Sequence, residues 1–177
     1  VRPPQPEGVY AFTQRAASWK TATGPDRYRR GMYTFFMRSA PYPMLSTFDT
    51  PKFNNTCTRR VRSNTPIQAL TMANDQVMIE VARALGQRLL TSRDQDKARL
   101  EYAFELCLSR LPDPVEMQRL RDYLDEQRSA FAGAAQAAKA REFAGGQWPA
   151  ELPADEAAAW TAIGRLLINL DEFITRE

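Results

Sequence analysis

The chain has 177 residues, 44% hydrophobic and 25% charged, enough apolar content for one domain that buries roughly 70% of its unfolded surface, and too much for a chain disordered or fibrous as a whole. Its formal net charge of +3 hides an asymmetry: residues 1–62 hold 11 Lys and Arg against 3 Asp and Glu, whereas residues 63–177 hold 13 against 18. That division points either to an anionic partner for the first third or to two parts that pack on each other, and no apolar run approaches the roughly 20 residues of a membrane span.

Residues 1–25 are punctuated by Pro3, Pro4, Pro6, Gly8, Gly24 and Pro25 and read as an irregular arm, with Val9, Tyr10, Phe12 and Trp19 as scattered apolar contacts. Asp26 is placed to cap a helix to about Arg38, because Tyr28, Met32, Phe35 and Phe36 recur at helical spacing, although Gly31 weakens it. Ala40-Pro41-Tyr42-Pro43 ends that helix, and residues 44–63, with Pro51 and Asn54-Asn55, read as a long ordered loop. Thr65-Pro66-Ile67-Gln68 then has a hydroxyl at the N-cap, proline at the first helical position and glutamine three residues on, a capping box. The helix it opens is expected to bury Ile67, Leu70, Ala73, Val77, Val81, Leu85 and Leu89, with Asn74-Asp75 as a second cap that interrupts it.

A helix over 94–109 uses Leu100, Ala103, Phe104, Cys107 and Leu108. Asp113-Pro114-Val115-Glu116 repeats the capping box, so the next helix, through Leu120, Leu124 and Phe131, folds back as a tight αα-hairpin. The alanine-rich tail from Ala130 to Ala144 is expected to be exposed or frayed. After the break at Gly145–Pro149, a last helix from about Asp155 carries Trp160, Ile163, Leu166, Leu167, Leu170 and Phe173. The fold class is all-α, about five helices in a single domain over 1–177, with a basic arm and loop region over 1–64 and a helical core over 65–177.

Histidine is absent, which removes the commonest general base and imidazole ligation, and no metal site or nucleic-acid recognition helix is expected. Cys57 and Cys107 lie 50 positions apart, outside any metal-finger spacing; a disulfide and two free thiols both remain open. The candidate anion-binding residues are Arg29, Arg30, Arg59, Arg60, Arg62 and Asn64, with Asp49 beside them: guanidinium forks ahead of a helix N-terminus suit carboxylate, phosphate or sulfate. The competing reading is that these arginines pair internally with Asp49 and Asp75 and pin the loop. Thr65, Gln68, Asp113 and Glu116 are assigned as structural caps. Tyr33, Phe35, Phe36, Tyr42 and Phe48 are either a stacking platform or ordinary packing.

Several segments carry a resemblance: Pro3–Tyr10, Asp26–Phe35, Phe48-Asp49-Thr50-Pro51, Arg59–Leu70 and Asn74-Asp75, then Leu108–Pro112 and Asn169–Phe173. Together they resemble the planctomycete-specific domain of unknown function numbered fifteen fifty-three. The resemblance implies the C-terminal part of a large exported protein, periplasmic or at the cell surface, whose upstream domains are the partners of this chain. It implies haem c in an upstream cytochrome c module and no cofactor in this chain, and it supplies no catalytic residues. The start at Val1, without Met or a signal-peptide pattern, fits a fragment. Gln76 stands where relatives commonly have proline, and Leu111 replaces another frequent proline, which implies a looser hairpin turn. The expected function is a non-catalytic binding or assembly module that engages an acidic glycan or anionic partner. The alternative is a subdomain of a haem-linked oxidoreductase or carbohydrate-active enzyme with its catalytic groups upstream, where Arg62, Asn64 and Asp49 line a shared cleft.

Overall fold

The computed structural model describes residues 1–11, 18–51, 56–59, 63–145, 148–149 and 151–175. It is all-helical, with no strand among the described residues and eight α-helices, more than the five expected. These are α1 (Pro43–Thr47), α2 (Pro66–Asn74), α3 (Gln76–Ser92), α4 (Asp96–Leu108), α5 (Pro114–Phe131), α6 (Ala137–Ala144), α7 (Ala154–Leu167) and α8 (Asp171–Ile174). No described helix is long and apolar enough to cross a membrane. The chain divides into two compact units, Val1–Val77 and Met78–Glu177.

In the first unit the helix expected from Asp26 is replaced by two 3-10 turns, Gly24–Tyr28 and Gly31–Tyr33. The arm takes the backbone groups that a continuous helix needs: the Val1 ammonium donates to Tyr33 O at 2.7 Å, and Phe35 N donates to Val1 O at 2.7 Å. Gly31 is a packing position, since a Cβ there would lie 2.9 Å from Leu45 Cδ2. The arm itself is fastened by Trp19 Nε1 donating to Pro3 O at 2.7 Å and by the Tyr42 hydroxyl donating to Pro4 O at 2.9 Å. Trp19 stacks on Tyr10 and on Tyr42, with ring centroids 5.4 and 6.0 Å away. Burial, then the charge of Asp75, pushes the Tyr42 phenol well above its usual range, with Arg27 opposing.

Pro43 opens α1 instead of ending an earlier helix, so the expected loop begins with a helical turn. The break between α2 and α3 falls at Asp75, whose backbone is extended and whose Oδ1 accepts from Val77 N at 2.8 Å. The break therefore stands with Gln76 in place; the Asp75 cap makes it.

The second unit is organised by α7, in which every residue from Ala157 to Gly164 is buried and which packs against α5 and α6. Its crossing with α3 rests on small residues: a Cβ on Gly164 would lie 2.5 Å from Ala82 O, and one on Gly86 would lie 2.7 Å from Trp160 O. That contact turns Ala82, Gly86 and Leu89 inward; of the residues expected in the core, Leu89 is buried and Leu85 packs against it, whereas Val81 is exposed. The core comprises Leu89, Leu100, Phe104, Leu120, Leu124, Trp160, Ile163 and Leu167 with their neighbours.

The alanine-rich tail is exposed over 132–135, as expected, but it is not frayed throughout, because it goes on to form α6. Gly133, at φ +89°, makes the turn after α5, and α6 buries Ala140 and Ala144 against Ala157 and Ala158 of α7. Arg83 fastens the end of α6 by donating to Phe143 O at 2.9 Å and Glu142 O at 2.8 Å. Gly145 lets the guanidinium approach, since a Cβ there would meet it at 2.5 Å.

Two arginine clusters join helix ends. Arg128 of α5 forks onto Glu156 of α7 at 2.8 and 2.6 Å and donates to Asp96 of α4 at 2.7 Å. Burial pushes the Asp96 carboxyl up, but the hydrogen bonds and charges of Arg128 and Arg99 outweigh it and hold it below the usual range. Arg110 forks onto Glu116 at 2.7 and 2.7 Å and onto Glu172 at 2.8 and 2.6 Å. Arg110 thereby holds Glu116 down to about 2, against desolvation. The Asp113 capping box expected at the start of α5 is complete.

Candidate functional site

The polar cluster at the start of α2 is built around Gln68, which is 1% exposed. Its backbone N–H donates to Thr65 Oγ1 at 3.3 Å and its Oε1 accepts from Thr65 N at 2.9 Å, which completes the predicted capping box. The same amide reaches further: Nε2 donates to Thr47 O at 2.9 Å and Ser63 Oγ at 2.8 Å, with a longer contact to Asp49 Oδ2 at 3.4 Å. Gln68 is thus a cap turned inward, and the inward turn of Gln68 and Met72 leaves Ile67 and Leu70, expected in the core, on the outer face of α2.

Asp49 meets the same cluster. Its φ of +55° places it in the left-handed position just past α1, and Thr50 N closes back on Leu45 O at 3.0 Å, a Schellman-type helix end. Asp tolerates that conformation better than most residues. Its Oδ2 accepts a short hydrogen bond from the Ser63 hydroxyl. Asp75, the other carboxylate considered as a partner of the arginines, caps α3.

The candidate cations are placed differently. Arg29 is exposed and pairs with Asp26 at 3.1 Å, a surface bridge worth at most about 1 kcal/mol. Arg30 is exposed, 5.8 Å from the centre of the Tyr33 ring. Arg59 and Asn64 are exposed, and Arg59 O accepts from Cys57 Sγ at 3.3 Å. Arg60 and Arg62 lie outside the described residues. Cys57 and Cys107 are both free thiols.

The aromatic residues split as well. Tyr42 is buried in the Trp19 stack and Phe35 lies under the Arg2 guanidinium at 4.5 Å, whereas Tyr28 and Tyr33 are more than half exposed. An open groove of about 610 Å³ runs beside Gln5–Tyr10, Thr21 and Arg27, and its Trp19 ring is already stacked on Tyr10 and Tyr42. Among the described residues no three His, Cys, Asp or Glu side chains gather into a metal-holding group.

This unit also presents large apolar side chains to water. Met32 is 73% exposed, Ile67 68% and Leu70 65%, with Tyr28 and Tyr33 beside Arg29 and Arg30 in sequence. These residues all lie in the segments that carry the resemblance, and the family model that matches the chain covers residues 1–124. The chain belongs to the PSD1 family, proteins of unknown function (DUF1553). No curated protein and no solved structure matches it. The PSD1 match spans the whole first unit and ends inside α5, so Asn169–Phe173 falls beyond it. That later segment nonetheless has a structural task, because its Glu172 holds Arg110.

Sequence reasoning missed these exposed apolar residues because helical spacing assigned them to the core. The available signal was Gln68 itself: a glutamine that satisfies its own cap and also faces a polar loop rotates α2 so that Ile67 and Leu70 point outward.

Proposed function

We propose that this PSD1 chain is a non-catalytic assembly module of an exported multidomain protein, which docks through its first unit on an acidic, partly apolar surface of the upstream part of the same polypeptide. The observation that carries the reading is the exposure of Met32, Ile67 and Leu70 within the signature segments. Fully burying an aliphatic side chain is worth about 1.5–3 kcal/mol, so covering Ile67 and Leu70 alone supplies a few kcal/mol.

The charge of the unit supports the choice of partner. Residues 1–77 hold 11 Lys and Arg against 4 Asp and Glu, a balance that complements an acidic rim and speeds encounter with it. An acidic glycan would pair the arginines but leave the aliphatic side chains in water, so a protein surface fits better. The signature polar groups Gln68, Asp49 and Ser63 are engaged with one another, which supports a role in shaping the surface rather than in chemistry.

The test is association of this chain with the separately produced upstream portion, measured by calorimetry. Ile67→Asp with Leu70→Asp should weaken binding by about 30-fold or more, the loss expected for one interface hot spot, while circular dichroism shows the helices intact. Undiminished binding by the double variant, or none by the parent chain, would refute the docking surface.

A further inference from the structure

Beyond the docking surface, the second unit contains a cavity of about 220 Å³ walled by Leu90, Trp148, Pro149 and Leu152, with Arg99 and Glu151 as its charged lining residues. Arg99 is held in place from within. Its Nε donates to Arg93 O at 2.6 Å, its Nη1 to Asp96 Oδ1 at 3.1 Å, and its guanidinium carbon lies 5.7 Å from the centre of the Trp160 ring. The side chain is 16% exposed, and Nη2, which is open to water, makes no hydrogen bond among the described residues.

Nor does Arg99 have a carboxylate to itself. Asp96 is shared, its other oxygen accepting from Arg128 at 2.7 Å. A guanidinium fixed at Nε and Nη1, on a residue that lines this mostly apolar cavity, is pre-organised for an anion with an apolar body. Glu151 disfavours a second negative charge on that ligand, and the volume lies below the roughly 300–1,000 Å³ of sites for drug-sized molecules.

We propose that this cavity binds a small apolar monocarboxylate, its carboxylate on Arg99 Nη2 and its ring or branched chain against Trp148 and Leu90. Benzoate is the matching probe, benzamide its uncharged counterpart, and inorganic phosphate the polar multivalent anion. In titrations of the chain followed by tryptophan fluorescence and calorimetry, benzoate binds saturably at millimolar concentrations, benzamide binds about tenfold more weakly for want of the charge-assisted bond, and phosphate does not bind. Arg99→Lys keeps the charge and the Asp96 pair but loses the fork, and weakens benzoate by about tenfold. Leu152→Trp fills the cavity without touching the ion cluster and abolishes binding, so the test survives if Arg99→Lys fails to fold. No saturable benzoate binding, equal affinity for benzamide or phosphate, or full binding by folded Leu152→Trp would each overturn the proposal.

Discussion

Replacing Gln68 with leucine removes the polar hub of the first unit at nearly constant volume, so the cost is polar and not a cavity. The amide group serves Thr65 N, Thr47 O and Ser63 Oγ at 2.9, 2.9 and 2.8 Å. Three such bonds at about 1 kcal/mol each give a loss of about 3 kcal/mol, and groups left buried without a partner raise it. That corresponds to roughly a 150-fold increase in local opening. Native-state hydrogen exchange reads it at the amides of Phe48, Thr50 and Ala69, which close α1 and open α2, with the amides of α7 as an internal control. Thr65→Ala removes only the outer half of the cap and should cost about 1 kcal/mol. If both variants raise exchange equally, Gln68 is merely a cap and the hub is refuted; a change below about threefold in Gln68→Leu refutes both roles.

Gly164→Ala drives a Cβ to 2.5 Å from Ala82 O, backbone that no side-chain rotation can clear, so thermal unfolding should show a loss of about 2 kcal/mol or more. Glu116, held to about 2 by Arg110, contributes stability that is complete above its unfolded value near 4.5 and is lost as pH falls toward 2; denaturation midpoints across that window should show the fall, and Glu116→Gln should flatten it. Tyr42→Phe leaves Pro4 O without its 2.9 Å donor and should release the arm by about 1 kcal/mol, seen as faster exchange of the Phe35 amide, which donates to Val1 O.

The sequence announced the second unit well because its signals are local. The box at Asp113–Glu116 and the apolar spacing of Leu100, Phe104, Leu120 and Leu124 need no distant partner to be read, and both are present. The alanines of α6 carried no such signal: their burial depends on Ala157 and Ala158 in another helix offering an equally small surface. Tyr28, Met32 and Phe35 have helical spacing, but Val1 claims the backbone of Tyr33 and Phe35 from more than 30 positions away. The same limit applied at the candidate site. Asp49 and Gln68 were each visible as polar signature residues, but their joint attachment to Ser63 follows only from the left-handed turn at Asp49.

The proposed docking surface is tested most directly by hydroxyl-radical footprinting of residues 1–177 alone against a longer polypeptide that joins them to the proposed upstream part. In the isolated chain Met32, Ile67 and Leu70 should react as exposed side chains, in keeping with their 73%, 68% and 65% exposure. In the longer polypeptide all three should be protected severalfold while Leu111 and Val115 of the second unit, both 58% exposed, keep their rates. Equal modification of Met32, Ile67 and Leu70 in the two proteins would contradict docking through this surface.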